Sequence, residues 1–130
     1  MIPYAYNTQF HPPAPFVLVT LRHPLTGNTL SGVPAQLDTG ADRTLLPQSF
    51  ADALQLPSIG EVPIGGVGGT ISSMPCYAVF LGVHTLPESL IEVIAHPEES
   101  WVLLGRDVLN SLRIVLDGPR LVLEIDDPSP

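Results

Sequence analysis

Residues 35–47 of this chain read AQLDTGADRTLLP, and this stretch decides the fold. An apolar run leads directly into Asp38, Thr39 and Gly40. A carboxylate at the end of a buried strand is costly unless it is hydrogen-bonded or functional. Gly40 allows a tight turn that points its N–H at the carboxylate, and Thr39 offers a hydroxyl to a neighbouring loop. Alone, the tripeptide also fits an ordinary turn, because Asp, Thr and Gly are common turn residues.

A second informative stretch lies downstream, where residues 63–71 read PIGGVGGTI. Four glycines surround Val67 between apolar flanks, which predicts a hairpin with a mobile tip or, more simply, a flexible turn. It is not a dinucleotide-binding loop, because the glycine spacing is not G-x-G-x-x-G and no helical pattern follows.

The third stretch is residues 102–109, VLLGRDVL. An apolar strand meets Gly105 and turns into a short helix, with Asp107 placed to favour the helix N-terminus. Taken alone, this is a common strand-to-helix junction.

In this order and at these separations, the three stretches resemble the retropepsin family, which comprises the retroviral proteases and their cellular relatives. The resemblance runs over about residues 16–125. Residues 37–42 resemble the family's catalytic loop, and residues 64–69 resemble its flap. Residues 103–107 resemble the apolar-apolar-glycine motif that packs beneath the catalytic loop.

The resemblance implies an all-β fold, a closed acid-protease β-barrel with one or two short helices, assembled as a C2 homodimer. Each subunit would supply one Asp38 to an aspartic endopeptidase site. Two carboxylates held close cannot both ionise easily, so they share a proton. The ionised one would activate a water as general base, and the protonated one would donate to the scissile carbonyl. No cofactor and no metal is implied.

The same resemblance implies roles for the loop residues. Thr39 would make a hydroxyl contact across the dimer axis, and Gly40 would contact the substrate backbone. Asp42 would bind the substrate main chain and pair with Arg106, although a purely structural role for Arg106 is also open.

Further residues are implied to line the site or to support it. The implied flap contacts are Ile64, Gly65, Gly66, Val67 and Gly68. The implied pocket walls are Leu37, Trp101 and Leu103, with Trp101 equally compatible with a core or interface position. The implied structural support comes from Ala41, Gly105 and Arg106.

The chain length and the spacing of prolines and glycines fit one small β-rich domain. The 130 residues suit a single domain and are about half of what a two-lobed aspartic protease needs. Fifteen prolines and eleven glycines separate short apolar runs, which predicts many short strands. We expect strands near residues 16–21, 71–81, 90–95, 101–104, 113–116 and 121–125, helices at 47–54 and 106–112, and hairpin turns at 25–28 and 117–119. We expect an extended proline-rich arm over 1–15, a protease domain over 16–126 and a tail over 127–130.

Charge and targeting signals narrow the partners. The net charge of −8 disfavours binding to nucleic acid or to an anionic membrane surface. One cysteine excludes an internal disulfide, and the four histidines are scattered without metal-ligand spacing. Without a signal sequence or a membrane-length apolar run, we expect a cytoplasmic protein whose partners are a second copy and a peptide or protein substrate.

Two departures from the viral pattern carry expectations. A second hairpin over residues 113–125 resembles the cellular relatives, including the DNA-damage-inducible ubiquitin-shuttle proteases, and we expect its strands to pair across the dimer. Ala41 stands where many cellular aspartic proteases have Ser or Thr, so one hydroxyl donor to the catalytic pair is missing.

Two other readings stay open at this stage. One is a retropepsin-like dimer that holds extended peptides but cuts them slowly or not at all. The other is a domain derived from a retroelement polyprotein.

Overall fold

The computed structural model describes residues 1–65, 68–69 and 71–126. Within them lie ten strands and two short helices. In chain order the elements are β1 (Ile2–Ala5), β2 (Phe16–Arg22), β3 (Thr29–Leu37), β4 (Leu45–Pro47), α1 (Gln48–Leu54), β5 (Ser58–Gly65), β6 (Ile71–Val83), β7 (Ser89–His96), β8 (Val102–Leu104), α2 (Arg106–Leu109), β9 (Arg113–Asp117) and β10 (Val122–Asp126). The remaining residues, including the predicted tail 127–130, lie outside the described ranges.

Six strands close into a barrel. Their order is β2-β3-β8-β4-β7-β6, and β2 pairs with β6 to complete the ring, while β5 extends the sheet beyond β6. Most pairs are antiparallel, but β3 with β8 and β4 with β7 are parallel. Closure removes the free edges that an open sheet would expose. The predicted all-β closed barrel with short helices is confirmed.

The six strands predicted by residue range and both helices form close to their predicted positions. Helix α1 begins one residue after Pro47, whose fixed φ suits a helix start. Helix α2 ends at Leu109, three residues before the predicted end. The hydroxyl of Ser111 donates to the carbonyl of Val108 at 2.7 Å, a local bond that competes with continued helix.

The core fills the barrel interior with branched aliphatic side chains. Alternate residues of β2 point inward, and Val17, Val19 and Leu21 are buried. The other fully buried large apolar side chains are Leu46, Leu54, Val79, Val93, Leu104, Val102, Leu123 and Ile125. The last two come from β10, so the C-terminal strand is part of the core.

The chain ends form a second, three-stranded sheet in the order β1-β10-β9. Residues 2–5, within the predicted arm, therefore form a strand, with Ile2 opposite Ile125. Tyr4 packs against the barrel core, and burial raises the pKa of its hydroxyl. The boundary predicted at residue 16 stays a prediction.

The expectation that the C-terminal strands pair across a dimer is corrected for β10. Both edges of β10 are hydrogen-bonded within the same chain, to β9 on one side and to β1 on the other. Backbone groups already paired in a ladder are not free to pair with a second copy. Strand pairing with another subunit would have to use the outer edge of β9 or β1. In the described part of the chain, neither helix is long and apolar enough to cross a membrane.

The predicted turn at residues 25–28 forms, and a histidine holds it. His23 is 5% exposed, and its Nδ1 accepts hydrogen bonds from the N–H groups of Leu25 at 3.0 Å and Thr26 at 3.1 Å. Gly27 adopts a φ of 77°, which glycine tolerates without strain. The Nδ1 atom of His23 therefore supplies the acceptor that this tight connection needs.

Replacing His23 with Ala should lower the free energy of unfolding by about 1–3 kcal/mol, because two N–H groups lose their acceptor. His84→Asn is the control, since His84 is exposed and has a φ of 53°, which Asn tolerates. Urea unfolding of both variants measures the difference. Equal stability of the two would contradict a structural role for His23.

Candidate active site

The Asp38 loop begins where β3 ends. The N–H of Asp38 donates to the carbonyl of Leu104 on β8 at 2.9 Å, so the loop starts from the barrel wall. The N–H of Gly40 then donates to Oδ1 of Asp38 at 3.0 Å, and the N–H of Ala41 donates to the Asp38 carbonyl at 3.1 Å. The carboxylate is half-buried. The turn thus orients one carboxylate with a backbone donor, as the sequence predicts.

Gly105 lies against this loop from below. A Cβ on Gly105 would stand 2.6 Å from the carbonyl carbon and 2.7 Å from the carbonyl oxygen of Arg43, and 3.0 Å from the carbonyl oxygen of Ala41. Those neighbours are backbone atoms that cannot rotate away. The N–H of Arg106 also donates to the Ala41 carbonyl at 2.9 Å. Only glycine fits this position.

A buried polar network ties the same elements together, and the sequence analysis missed it. Thr44 is fully buried; its N–H and its hydroxyl donate to the two carboxylate oxygens of Asp107 at 3.0 Å and 2.8 Å. The Thr44 hydroxyl also accepts from the N–H of Gly105 at 3.1 Å. The only sequence signal for this network was the polar Thr44 before an apolar run, together with the carboxylate of Asp107 at the start of α2.

The predicted ion pair between Asp42 and Arg106 does not form, and this expectation is corrected. Instead Nη1 of Arg106 donates to the carbonyl oxygen of Thr39 at 2.7 Å. Both predicted partners are exposed, where an ion pair gains little, whereas the loop carbonyl offers a charge-assisted bond. Arg106 thus holds the Thr39 backbone, while Thr39 itself is exposed.

The glycine-rich hairpin extends from the barrel beside this loop. Strands β5 and β6 pair up to Gly65 opposite Ile71. At the far end Gly68 and Gly69 have φ values of 85° and 79°, which favour glycine. The predicted contacts Gly66 and Val67, with Thr70, lie outside the described residues.

A cleft of about 240 Å³ separates the hairpin from the loop, and it brings two predicted contacts together. Asp42 from the loop and Ile64 from the hairpin both line it, and Arg43, Val62, Pro63 and Ile94 complete the wall.

The predicted pocket walls flank the loop on neighbouring strands. Leu37 precedes Asp38 on β3, and Leu103 lies one register position away on β8. The indole N–H of Trp101 donates to Oε1 of Gln36 at 2.9 Å. The Trp101 ring packs edge-on against Phe10 and Phe16, with centroids 5.0 Å and 5.9 Å away. Trp101 is half-buried, so both of its predicted roles remain open.

The described residues of the loop and its surroundings form no metal-ligand cluster. There, no group of three or more His, Cys, Asp and Glu side chains lies close enough to hold a metal ion.

Comparison with known proteins gives a consistent result. Residues 15–117 match the family model described as retroviral aspartyl protease. The Gag-Pro polyprotein of Human T-cell leukemia virus 2 is 28% identical over 120 residues, which cover 87% of this chain and 18% of the polyprotein. That of Human T-cell leukemia virus 3 (strain Pyl43) is 30% identical over 106 residues, covering 75% and 18%. The chain therefore spans less than a fifth of these relatives.

Solved structures share the fold. EIAV protease, solved in complex with the inhibitor HBY-793, superposes with a TM-score of 0.59 at 22% identity, covering 82% of this chain and 92% of that one. A retropepsin-like aspartic protease from Rickettsia conorii gives 0.58 at 15% identity, covering 97% and 99%. The retroviral protease-like domain of Ddi1 from Leishmania major gives 0.54 at 16% identity, covering 87% and 88%. At these identities the likeness establishes the fold alone.

Replacing Gly105 with Ala should lower the free energy of unfolding by about 2–3 kcal/mol, because the added methyl overlaps rigid backbone. The same change should displace the Asp38 loop. Gly118→Ala is the matched control, since a Cβ there meets nothing within 4 Å. Thermal unfolding of the two variants measures the difference. An unchanged unfolding midpoint for Gly105→Ala would contradict the expected destabilisation.

Proposed function

The chain belongs to the retroviral aspartyl protease family, and from this premise we propose that it is an aspartic endopeptidase, active as a homodimer that pairs two copies of Asp38. The observation that supports this most is the intact loop: a half-buried carboxylate at the end of a barrel strand, with the Gly40 N–H 3.0 Å from its Oδ1. Arg106 and Gly105 fix that loop from below.

The proposal of two copies starts from the number of catalytic motifs. These 130 residues contain one Asp-Thr-Gly, so the second carboxylate of the proposed pair is supplied by a second copy of this domain. A two-fold axis beside the loop would bring two Asp38 side chains face to face. The exposed hydroxyl of Thr39 is then available for a contact across that axis, because Arg106 already holds the Thr39 carbonyl.

The proposed chemistry uses a water and the shared proton. The ionised Asp38 removes a proton from the water as it attacks the scissile carbonyl carbon, and the protonated copy donates to the carbonyl oxygen. A tetrahedral intermediate forms without a covalent enzyme adduct. Proton transfer to the leaving amine then breaks the carbon–nitrogen bond. By symmetry, the two copies can exchange roles until substrate binds.

The proposed substrate lies extended in the cleft between the loop and the β5–β6 hairpin, as an added strand. Gly40 and Asp42 would contact its main chain from below, and the flap residues 64–68 would cover it from above. Leu37, Leu103 and Trp101 would wall the side-chain pockets. Both Ile64 and Asp42 line the described part of this cleft, which supports the proposed placement.

Replacing Asp38 with Asn should abolish cleavage of unfolded casein or of a peptide library, a loss on the order of 10³-fold or more, because the pair can no longer supply a general base. Asp52→Asn is the matched control, because Asp52 is exposed on α1 and its bond from Gln48 can be kept by an amide oxygen. A pepstatin-type inhibitor should block the same activity.

Absence of Asp38-dependent cleavage from acid to neutral pH would refute the endopeptidase proposal. Binding of extended peptides by a dimer that does not cut them would then support the alternative, a peptide-binding module.

Replacing Ala41 with Ser should shift the pH–activity profile to lower pH. A hydroxyl beside the loop can donate to the carboxylate pair and favour its ionised form. The N–H of Ala41 already bonds to the Asp38 carbonyl, which keeps this position beside the carboxylate. Initial rates from pH 3 to 8 would measure the shift, and an unmoved profile would contradict this reasoning.

A further inference from the structure

Arg43 is a cation at the junction of two clefts beside the proposed active site. It follows Asp42 in the loop, and its backbone is packed directly on Gly105. The half-buried residue lines the cleft of about 240 Å³ beside the hairpin and a second cleft of about 420 Å³ that strands β5 and β6 also line. The second cleft is also lined by Ile59, Gly60, Glu61, Val62, Cys76, Ala78 and Glu92. Arg43 therefore lines both clefts, and it is the only positively charged residue among the described residues of their walls.

The guanidinium of Arg43 has no acceptor in the described part of the chain. All five basic residues are arginines. Arg22 pairs with Glu88 at 2.7 Å, Arg120 contacts Asp117 at 3.7 Å, and Arg106 binds a loop carbonyl. Arg113 is exposed to solvent. Arg43 has neither a side-chain hydrogen bond nor an ion pair with any described residue. In a chain of net charge −8, a half-buried guanidinium left without a carboxylate is unusual.

The nearby carboxylates do not pair with the Arg43 guanidinium. Glu61 and Glu92 line the larger cleft with Arg43, but neither reaches ion-pair distance, and Glu61 accepts a bond from the Ser73 hydroxyl at 2.9 Å. Asp42 lines the smaller cleft. These carboxylates repel an anion that approaches anywhere else along the wall. An incoming carboxylate is therefore favoured only where it can reach the guanidinium.

We propose that Arg43 makes this protein select substrates that carry an acidic side chain at the subsite between the two clefts. The inference rests on the proposed endopeptidase function and on its homodimer. Because an extended peptide would cross both subunits, it would pass the Arg43 of each subunit. The preference for an acidic side chain should then occur at two substrate positions, one on each side of the cleaved bond and neither adjacent to it.

Matched peptides that differ by Glu or Gln at one position at a time test this proposal. For the unmodified protein, kcat/KM should favour Glu by about three- to tenfold at those two positions, the range expected for a partly exposed charge pair. Arg43→Gln should remove both preferences together, while Arg43→Lys should keep part of them. Arg120→Gln, the same charge change at an exposed turn, should leave them intact.

The outcomes separate this inference from the proposed function. Asp38-dependent cleavage with the same Glu-to-Gln ratio in the unmodified protein and in Arg43→Gln would overturn the role of Arg43 alone. If the unmodified protein shows no Asp38-dependent cleavage of any peptide, the proposed function itself is overturned. Thermal unfolding shows whether Arg43→Gln is folded, and Arg43→Glu supplies a second test, since it should favour Lys over Glu at the same positions.

Discussion

The structure depends on one close approach between backbones, that of Gly105 to the loop that carries Asp38. A methyl group at Gly105 would stand 2.6 Å from a carbonyl carbon of that loop, so the loop and the strand-to-helix junction are in contact without side chains between them. From this contact the other bonds follow. The N–H of Arg106 reaches the Ala41 carbonyl, and the Thr44 hydroxyl is placed between the N–H of Gly105 and the carboxylate of Asp107. The position of Asp38 is therefore set by the barrel and not by the loop alone.

The sequence was a good guide wherever local pattern determines structure. Alternating apolar runs between glycines and prolines located the barrel strands, and three motifs in the right order identified the family. It was a poor guide where the outcome depends on which of several partners is nearest. The motif offered Asp42 as the partner of Arg106, but Arg106 binds the Thr39 carbonyl. The bond from Thr44 to Asp107 joins residues 63 positions apart, a separation that no local pattern reports.

The chain ends show the same limit and bear on assembly. Three prolines lie in the thirteen residues that follow residues 2–5, and this segment shows little periodicity. Residues 2–5 nevertheless form a strand, because β10 offers an edge for pairing. Strand β10 in turn contributes Leu123 and Ile125 to the core, so removing it would disturb the subunit as well as any interface. The β9–β10 hairpin exposes Val115, Leu116 and Leu121 at its surface. Such apolar exposure on a terminal hairpin is consistent with a surface that a second copy covers.

The central claim is that the active unit contains two copies of Asp38, and its most direct test measures assembly and activity on the same samples. Sedimentation velocity over a dilution series gives the fraction of chains in dimers, and cleavage of one peptide gives activity per chain. The account predicts that activity per chain falls in proportion to the dimer fraction and vanishes when all chains are monomeric. Full activity per chain in samples that contain only monomers would contradict it.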